Sequence, residues 1–207
     1  MKTNFLIFCF LSVFFTNCKH KTEQKDDCCK KPETATNTAQ KAISDASIFD
    51  IESTWKTQDD KPIKLAELKG KTLVMAMIFT HCQSACPRII SDLQRIESAI
   101  PKAQLPKVQF VLVSMDPNRD TPKRLKEFAA EHQLDESRWT LLTSNENDAL
   151  EFANAIGVKY KKTNEGGFDH SNIIHIVDKN GVIIYQQVGL EQEPRESIEK
   201  IIALNEK

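Results

Sequence analysis

The chain has almost no net charge: 28 Lys and Arg stand against 29 Asp and Glu, a formal balance of −1, with the two signs mixed along its 207 residues. That balance offers no basic face to a polyanion, so nucleic acid is not expected as a partner. The sequence also lacks an apolar run that would span a bilayer comfortably. Its N-terminal candidate, Phe5 to Phe15, is too short for that and suits the core of an export signal. No internal repeat is visible, which leaves one ordinary globular domain plus an appendage. A CxxC pair is absent as well, which argues against a dedicated thioredoxin-type disulfide reductase.

Lys2 precedes the Phe5–Phe15 stretch, which stops at Phe15-Thr16-Asn17-Cys18. This resembles a bacterial lipoprotein signal, in which the cysteine becomes the lipid-modified first residue; Asn17 departs from the small residue usual before it, so an uncleaved signal anchor is the alternative. Residues 1–18 are therefore expected to be the signal or anchor, and the domain to lie outside the cytoplasm on a membrane. Residues 19–43 are polar, with almost nothing to bury, and are expected to form a flexible linker. Cys28 and Cys29, with His20, Asp26 and Asp27, offer soft-metal donors there; exposed thiols or a vicinal disulfide on a tether are the simpler expectation. Of six cysteines, Cys9 would leave with a cleaved signal and Cys18 would be lipidated, so two near-neighbour pairs remain.

The folded domain is expected over 44–207. Phe49 to Trp55 is expected as a strand, Asp59 to Pro62 as a hairpin-like turn, and Ile63 to Leu68 as a short strand or helix. Thr72 to Phe79 is a continuous apolar run of strand length, as in a strand covered on both faces, and is expected at the centre of the sheet. Ile89, Ile90, Leu93 and Ile96 recur at helical spacing after Pro87, up to Ile100. A second buried strand is expected at Val108–Met115, then a helix opened by Asp120-Thr121-Pro122 and running to His132. A short strand at Trp139–Leu142, a helix at Asn147–Ile156 closed by Gly157, strands at Ile173–Val177 and Val182–Val188, and a helix from Pro194 to Leu204 complete the pattern. The expected fold class is α/β: a central mixed β-sheet flanked by helices, with an N-terminal strand or hairpin extension.

Chemistry concentrates at Phe79-Thr80-His81-Cys82-Gln83-Ser84-Ala85-Cys86-Pro87. Cys82 lies just past the end of a buried strand. Cys86 precedes a proline, which disfavours helical geometry there and makes Cys86 the expected N-cap, with its thiol where helix amides favour a thiolate. The three-residue spacing lets both sulfurs converge on one ion or close a small disulfide ring. His170, after the glycine-bearing loop Thr163 to Phe168, is expected to open the next strand and to supply a third donor. Two thiolates and an imidazole suit copper, as Cu(I) or Cu(II), better than magnesium, calcium or a closed zinc site. The same pair, Cys82 and Cys86, can also cycle as dithiol and disulfide.

Three motifs in order carry a family resemblance: the cysteine loop, then Val113-Ser114-Met115-Asp116-Pro117-Asn118-Arg119-Asp120-Thr121-Pro122, then Asp169-His170-Ser171. The domain from Ile48 onward resembles the Sco/SenC family, thioredoxin-like proteins that assist assembly of the dinuclear copper centre of cytochrome c oxidase. The resemblance implies a thioredoxin-like fold, copper ligation by Cys82, Cys86 and His170, and a copper-bearing oxidase subunit or another copper acceptor as partner, with an extracytoplasmic thiol reductant as a further one. A proline before the Ile173 strand, where thioredoxin-like reductases place one facing substrate, is missing here. Copper assembly is thus the first expectation, disulfide reduction in an acceptor protein the second, and a peroxidase a poor third.

Other candidates have simpler roles. His81 suits loop hydrogen bonding beside the ligands, and Asp169 orientation of the His170 loop. His132 suits a helix end and His175 a packed or exposed strand position. Asp116 and Asp120 are explained by a turn and a helix cap, and Met75, Met77 and Met115 by core packing.

Overall fold

In chain order, the strands are β1 (Thr54–Thr57), β2 (Pro62–Lys64), β3 (Thr72–Ile78), β4 (Val108–Ser114), β5 (Trp139–Thr143), β6 (Tyr160–Lys162), β7 (Phe168–His170), β8 (Ile173–Val177) and β9 (Ile183–Val188). The α-helices are α1 (Ala85–Ala99), α2 (Pro122–Glu131), α3 (Glu146–Ala155) and α4 (Arg195–Asn205). This computed structural model describes residues 46–164 and 166–206. The expected signal or anchor with Cys18, and the linker with His20, Asp26, Asp27, Cys28 and Cys29, lie outside the described residues. No helix among the described residues is long and apolar enough to cross a membrane.

Seven strands form one mixed sheet in the order β2-β1-β5-β4-β3-β8-β9. β3, β4 and β5 are parallel, while β1 runs antiparallel to β5, and β8 antiparallel to β3 and β9. Every residue of β3 and of β4 is buried, which is why both read as unbroken apolar runs rather than alternating ones. The middle of the sheet is β4, one strand over from the expected centre at β3.

Neighbouring residues of β9 show how the helices divide. Gln186 Nε2 donates to the Ile156 carbonyl at the end of α3, 3.0 Å away, whereas Ser197 of α4 donates to Gln187 Oε1 at 2.7 Å. Successive side chains of a strand point to opposite faces, so α3 and α4 lie on opposite sides of the sheet. α1 packs against α4, and Gln94 of α1 donates to the His132 carbonyl at the end of α2. The face carrying α1, α2 and α4 is the one that two right-handed crossovers in the same direction would give.

The N-terminal segment differs from a simple strand. Ile48–Asp50 is a 3-10 turn held by Ser47, and the strand begins only at Thr54. Its hairpin with β2 turns through Asp60 at φ 57° and adds to the sheet edge through β5. Helix ends follow local chemistry. Thr121 caps α2 by accepting from Arg124 N, with Pro122 at the first helical position. At the C-terminus of α3, Gly157 at φ 74° lets Val158 N reach back to the Ala153 carbonyl.

β6 and β7 form a separate two-stranded ribbon that the sequence did not announce. It matters because His170 is the last residue of β7. The expectation that His170 opens the Ile173 strand is therefore corrected: Ser171 and Asn172 separate it from β8. Only three residues per strand, two of them Lys161 and Lys162, carry too little apolar alternation to be recognised as strands.

Candidate metal centre

β3 delivers the cysteine loop. After Ile78 the chain leaves the sheet, Cys82 N donates to the Phe79 carbonyl at 3.2 Å, and α1 begins at Ala85 with Ser84 as its N-cap. Cys86 is thus the second residue of the helix and not its cap, a correction with an electrostatic consequence. The first-turn amides point back out of the helix, toward the residue before it. Cys86 N lies 3.4 Å from Cys82 Sγ.

The two thiols consequently differ. Burial pushes Cys82 up, but hydrogen bonds from the Cys86, Ser84 and Ala85 amides and the Cys86 thiol outweigh it, and its pKa falls below the ordinary thiol value. Burial drives Cys86 well above that value, with the charges of Cys82 and Asp120 acting in the same direction. The helix start therefore favours a thiolate at Cys82, not at Cys86 as the sequence suggested. Both thiols are free.

His170 reaches the same place from the ribbon. A cavity of about 540 Å³ is lined by His81, Cys82, Ser84, Phe168, Asp169 and His170, among others. The His170 ring meets Phe79 edge-on at 6.0 Å, Phe79 meets Phe168 at 5.1 Å, and Phe168 meets Tyr160 at 5.7 Å. Burial lowers the His170 pKa, partly opposed by its contact with the Ser171 carbonyl and by the charge of Asp169. A neutral imidazole is the form that binds a metal. Cys82 and His170 share the cavity lining, with Cys86 buried behind Cys82.

The donor atoms of Cys82, Cys86 and His170 are not all within 4.8 Å of one another. Among the described residues that spacing is met by His81, Asp116 and Asp120. Asp120 explains this second group. Its buried carboxylate accepts from Thr80 Oγ1 at 2.6 Å, Ser114 Oγ at 2.6 Å and Thr80 N at 3.2 Å. Burial raises its pKa, with the Ser114 and Thr80 hydrogen bonds opposing the rise. Asp120 is thus a tie between the β4–α2 loop and the cysteine loop; Thr121 does the capping expected of it. His81 Nδ1 sits 3.2 Å from Thr80 Oγ1 and 3.8 Å from Asp120, in the loop-bonding role expected.

The remaining candidates fall away from the centre. His132 packs against Phe128 at the end of α2, the rings 4.4 Å apart and tilted by 51°. His175 is fully buried, with Nε2 on the Ile156 carbonyl. Met75, Met77 and Met115 are core residues. Asp169 is exposed on the cavity rim.

Against known proteins, the SCO1/SenC family model matches residues 42–206. The chain belongs to the SCO1/SenC family. Among curated members, it is 29% identical over 160 residues to a SCO1 protein homolog of Bacillus subtilis, covering 75% of this chain and 82% of the relative. A putative copper-binding protein of Stutzerimonas stutzeri is 29% identical over 114 residues, 55% of this chain and 54% of that protein. The crystal structure of a SCO1/SenC family lipoprotein from Bacillus anthracis superposes with a TM-score of 0.68 at 30% identity, over 73% of this chain and 92% of that one. With this family comes its thioredoxin-like fold, as the sequence resemblance implied.

Proposed function

We propose that the protein is a membrane-tethered, extracytoplasmic copper carrier. It takes up Cu(I) or Cu(II) through Cys82, Cys86 and His170 and passes it by ligand exchange to the copper-bearing subunit of cytochrome c oxidase or another thiolate-bearing acceptor. The observation that carries this reading is the partly exposed Cys82 thiol, stabilised as thiolate by the amides at the start of α1, in a cavity that His170 also lines. Soft sulfur and imidazole donors select copper over hard cations. A shallow site reached by a short ribbon is suited to cargo that must leave again. The Bacillus anthracis relative is a lipoprotein, which supports lipidation at Cys18 here.

Copper titration of the reduced protein, followed by absorption spectroscopy and metal counting, tests the ligand set. One ion per chain should be lost with Cys82→Ser or Cys86→Ser. His170→Ala should weaken Cu(II) more than Cu(I), because two thiolates alone can hold Cu(I) in linear geometry. A thiolate-to-copper absorption band that survives in either cysteine variant would remove that cysteine from the set. For the tether, Cys18→Ser should release the protein from the membrane fraction; retention would favour an uncleaved anchor.

A second reading, reduction of a disulfide in the acceptor, is favoured by the inequality of the thiols. An accessible thiolate at Cys82 can attack the acceptor disulfide, and Cys86 can then resolve the mixed disulfide, leaving a Cys82–Cys86 disulfide and a reduced acceptor. That cycle requires an external thiol reductant to restore the pair.

A further inference from the structure

The segment Met115–Thr121 touches both halves of the centre. At one end, Asp120 holds Thr80, two residues before Cys82. At the other, Arg119 spans a gap: its Nε donates to the Asp116 carboxylate, and its terminal nitrogen donates to the Gly166 carbonyl at 2.6 Å. Gly166 sits in the tip that joins β6 to β7, four residues before His170.

The ribbon has little to hold it in place by itself. It pairs only Tyr160–Lys162 with Phe168–His170, and an isolated two-stranded ribbon of that size is marginal in water. Its position therefore depends on attachments. Near His170 these are Ser171 N to the Lys159 carbonyl at 2.9 Å and the packing of Phe168 on Phe79. At the tip, Thr163 N bonds to the Gly167 carbonyl within the turn, and Arg119 supplies a hydrogen bond from outside it. Lys162 pairs with Glu146, which also accepts from Asn118 at 2.8 Å; that pair is more than half exposed and is worth little. Asp116, by contrast, is 5% exposed and gives Arg119 a fixed anchor.

We propose that Arg119 is a positioning residue: braced on Asp116, it fixes the ribbon tip and so sets where His170 stands relative to Cys82. The proposal rests on His170 being a copper ligand. One planar guanidinium can serve a carboxylate and a carbonyl at once, which a lysine ammonium at the same place cannot do in the same geometry. The Asp116–Asp120 segment then acts as a brace, with the cysteine loop on one arm and the histidine ribbon on the other. His81, Asp116 and Asp120, whose donor atoms lie within 4.8 Å, mark where the arms meet.

The test uses the whole chain carrying Arg119→Gln or Arg119→Lys, with two readouts. In the reduced protein without added copper, hydrogen exchange at the Thr163 and Gly167 amides should quicken about three- to tenfold in both variants, the loss of one charge-assisted hydrogen bond at a half-exposed site, while exchange in β3 and β4 stays unchanged. In titrations, Cu(II) affinity should fall by a similar factor, with Cu(I) affinity held within about twofold because the thiolates are untouched. Unchanged ribbon exchange, or equal weakening of both ions, would overturn the proposal. If His170→Ala leaves Cu(II) binding intact, the ligand assignment fails instead, and the copper-free exchange data still decide whether Arg119 holds the tip.

Discussion

At the scale of single residues, the two cysteines share a motif but not an environment. Cys86 is fully buried on α1, whereas Cys82 is partly exposed and accepts from the helix amides. Reactivity follows thiolate fraction and access. Iodoacetamide at pH 8 should therefore modify Cys82 at least ~10-fold faster than Cys86, a ratio that peptide mass spectrometry would measure. Equal rates would mean the loop does not hold the α1 amides on Cys82. Asp120 makes a comparable point, because a residue that spacing alone assigns to a helix start is instead bonded to Thr80 and Ser114 across the sheet end.

At the scale of elements, caps and turns decide how the segments are delivered. Thr121→Ala removes the oxygen that accepts from Arg124 N and should destabilise the protein by about 1 kcal/mol in urea unfolding. Gly181 in the β8–β9 turn is more demanding. It stands at φ 88°, and a Cβ there would come within 2.3 Å of Ser47 Oγ and 2.6 Å of the Phe49 ring. Gly181→Ala should therefore cost about 1–3 kcal/mol and loosen the N-terminal 3-10 turn, measured as faster amide exchange at Ile48, whose N–H bonds to the Gly181 carbonyl. A loss below 0.5 kcal/mol would show that this turn is free to shift away.

For the molecule as a whole, His175 couples stability to pH. It lies on β8 opposite Met75, and its Nε2 lies 3.0 Å from the carbonyl of Ile156, the residue that caps the C-terminus of α3. Burial lowers its pKa from 6.5 to about 4, opposed by backbone contacts at Ile156 and Met75. The unfolded chain takes up this proton below about pH 6.5 and the folded chain resists until about 4. The stability held in a neutral His175 is therefore complete above pH 6.5, declines as pH falls to about 4, and stays level below that. The decline amounts to about 3 kcal/mol. Urea unfolding of the parent and His175→Gln at pH 7, 5.5 and 4.5 should show a flatter profile in the variant; parallel profiles would remove His175 as the cause.

The sequence by itself determined the class of fold, the order of its main elements and the family, because buried strands, helix periodicity, caps and the three motifs are local patterns. Tertiary structure decided the rest. α1 starts two residues earlier than proline spacing suggests, so the amide field falls on Cys82. Phe79 and Phe168, 89 residues apart along the chain, meet in space and seat the ribbon beside the cysteine loop. Arg119, Asp116 and Gly166 become one brace through contacts across 47 residues of chain. Such relations depend on desolvation and on which distant groups fill one volume, and neither is written in the spacing of residues along a chain.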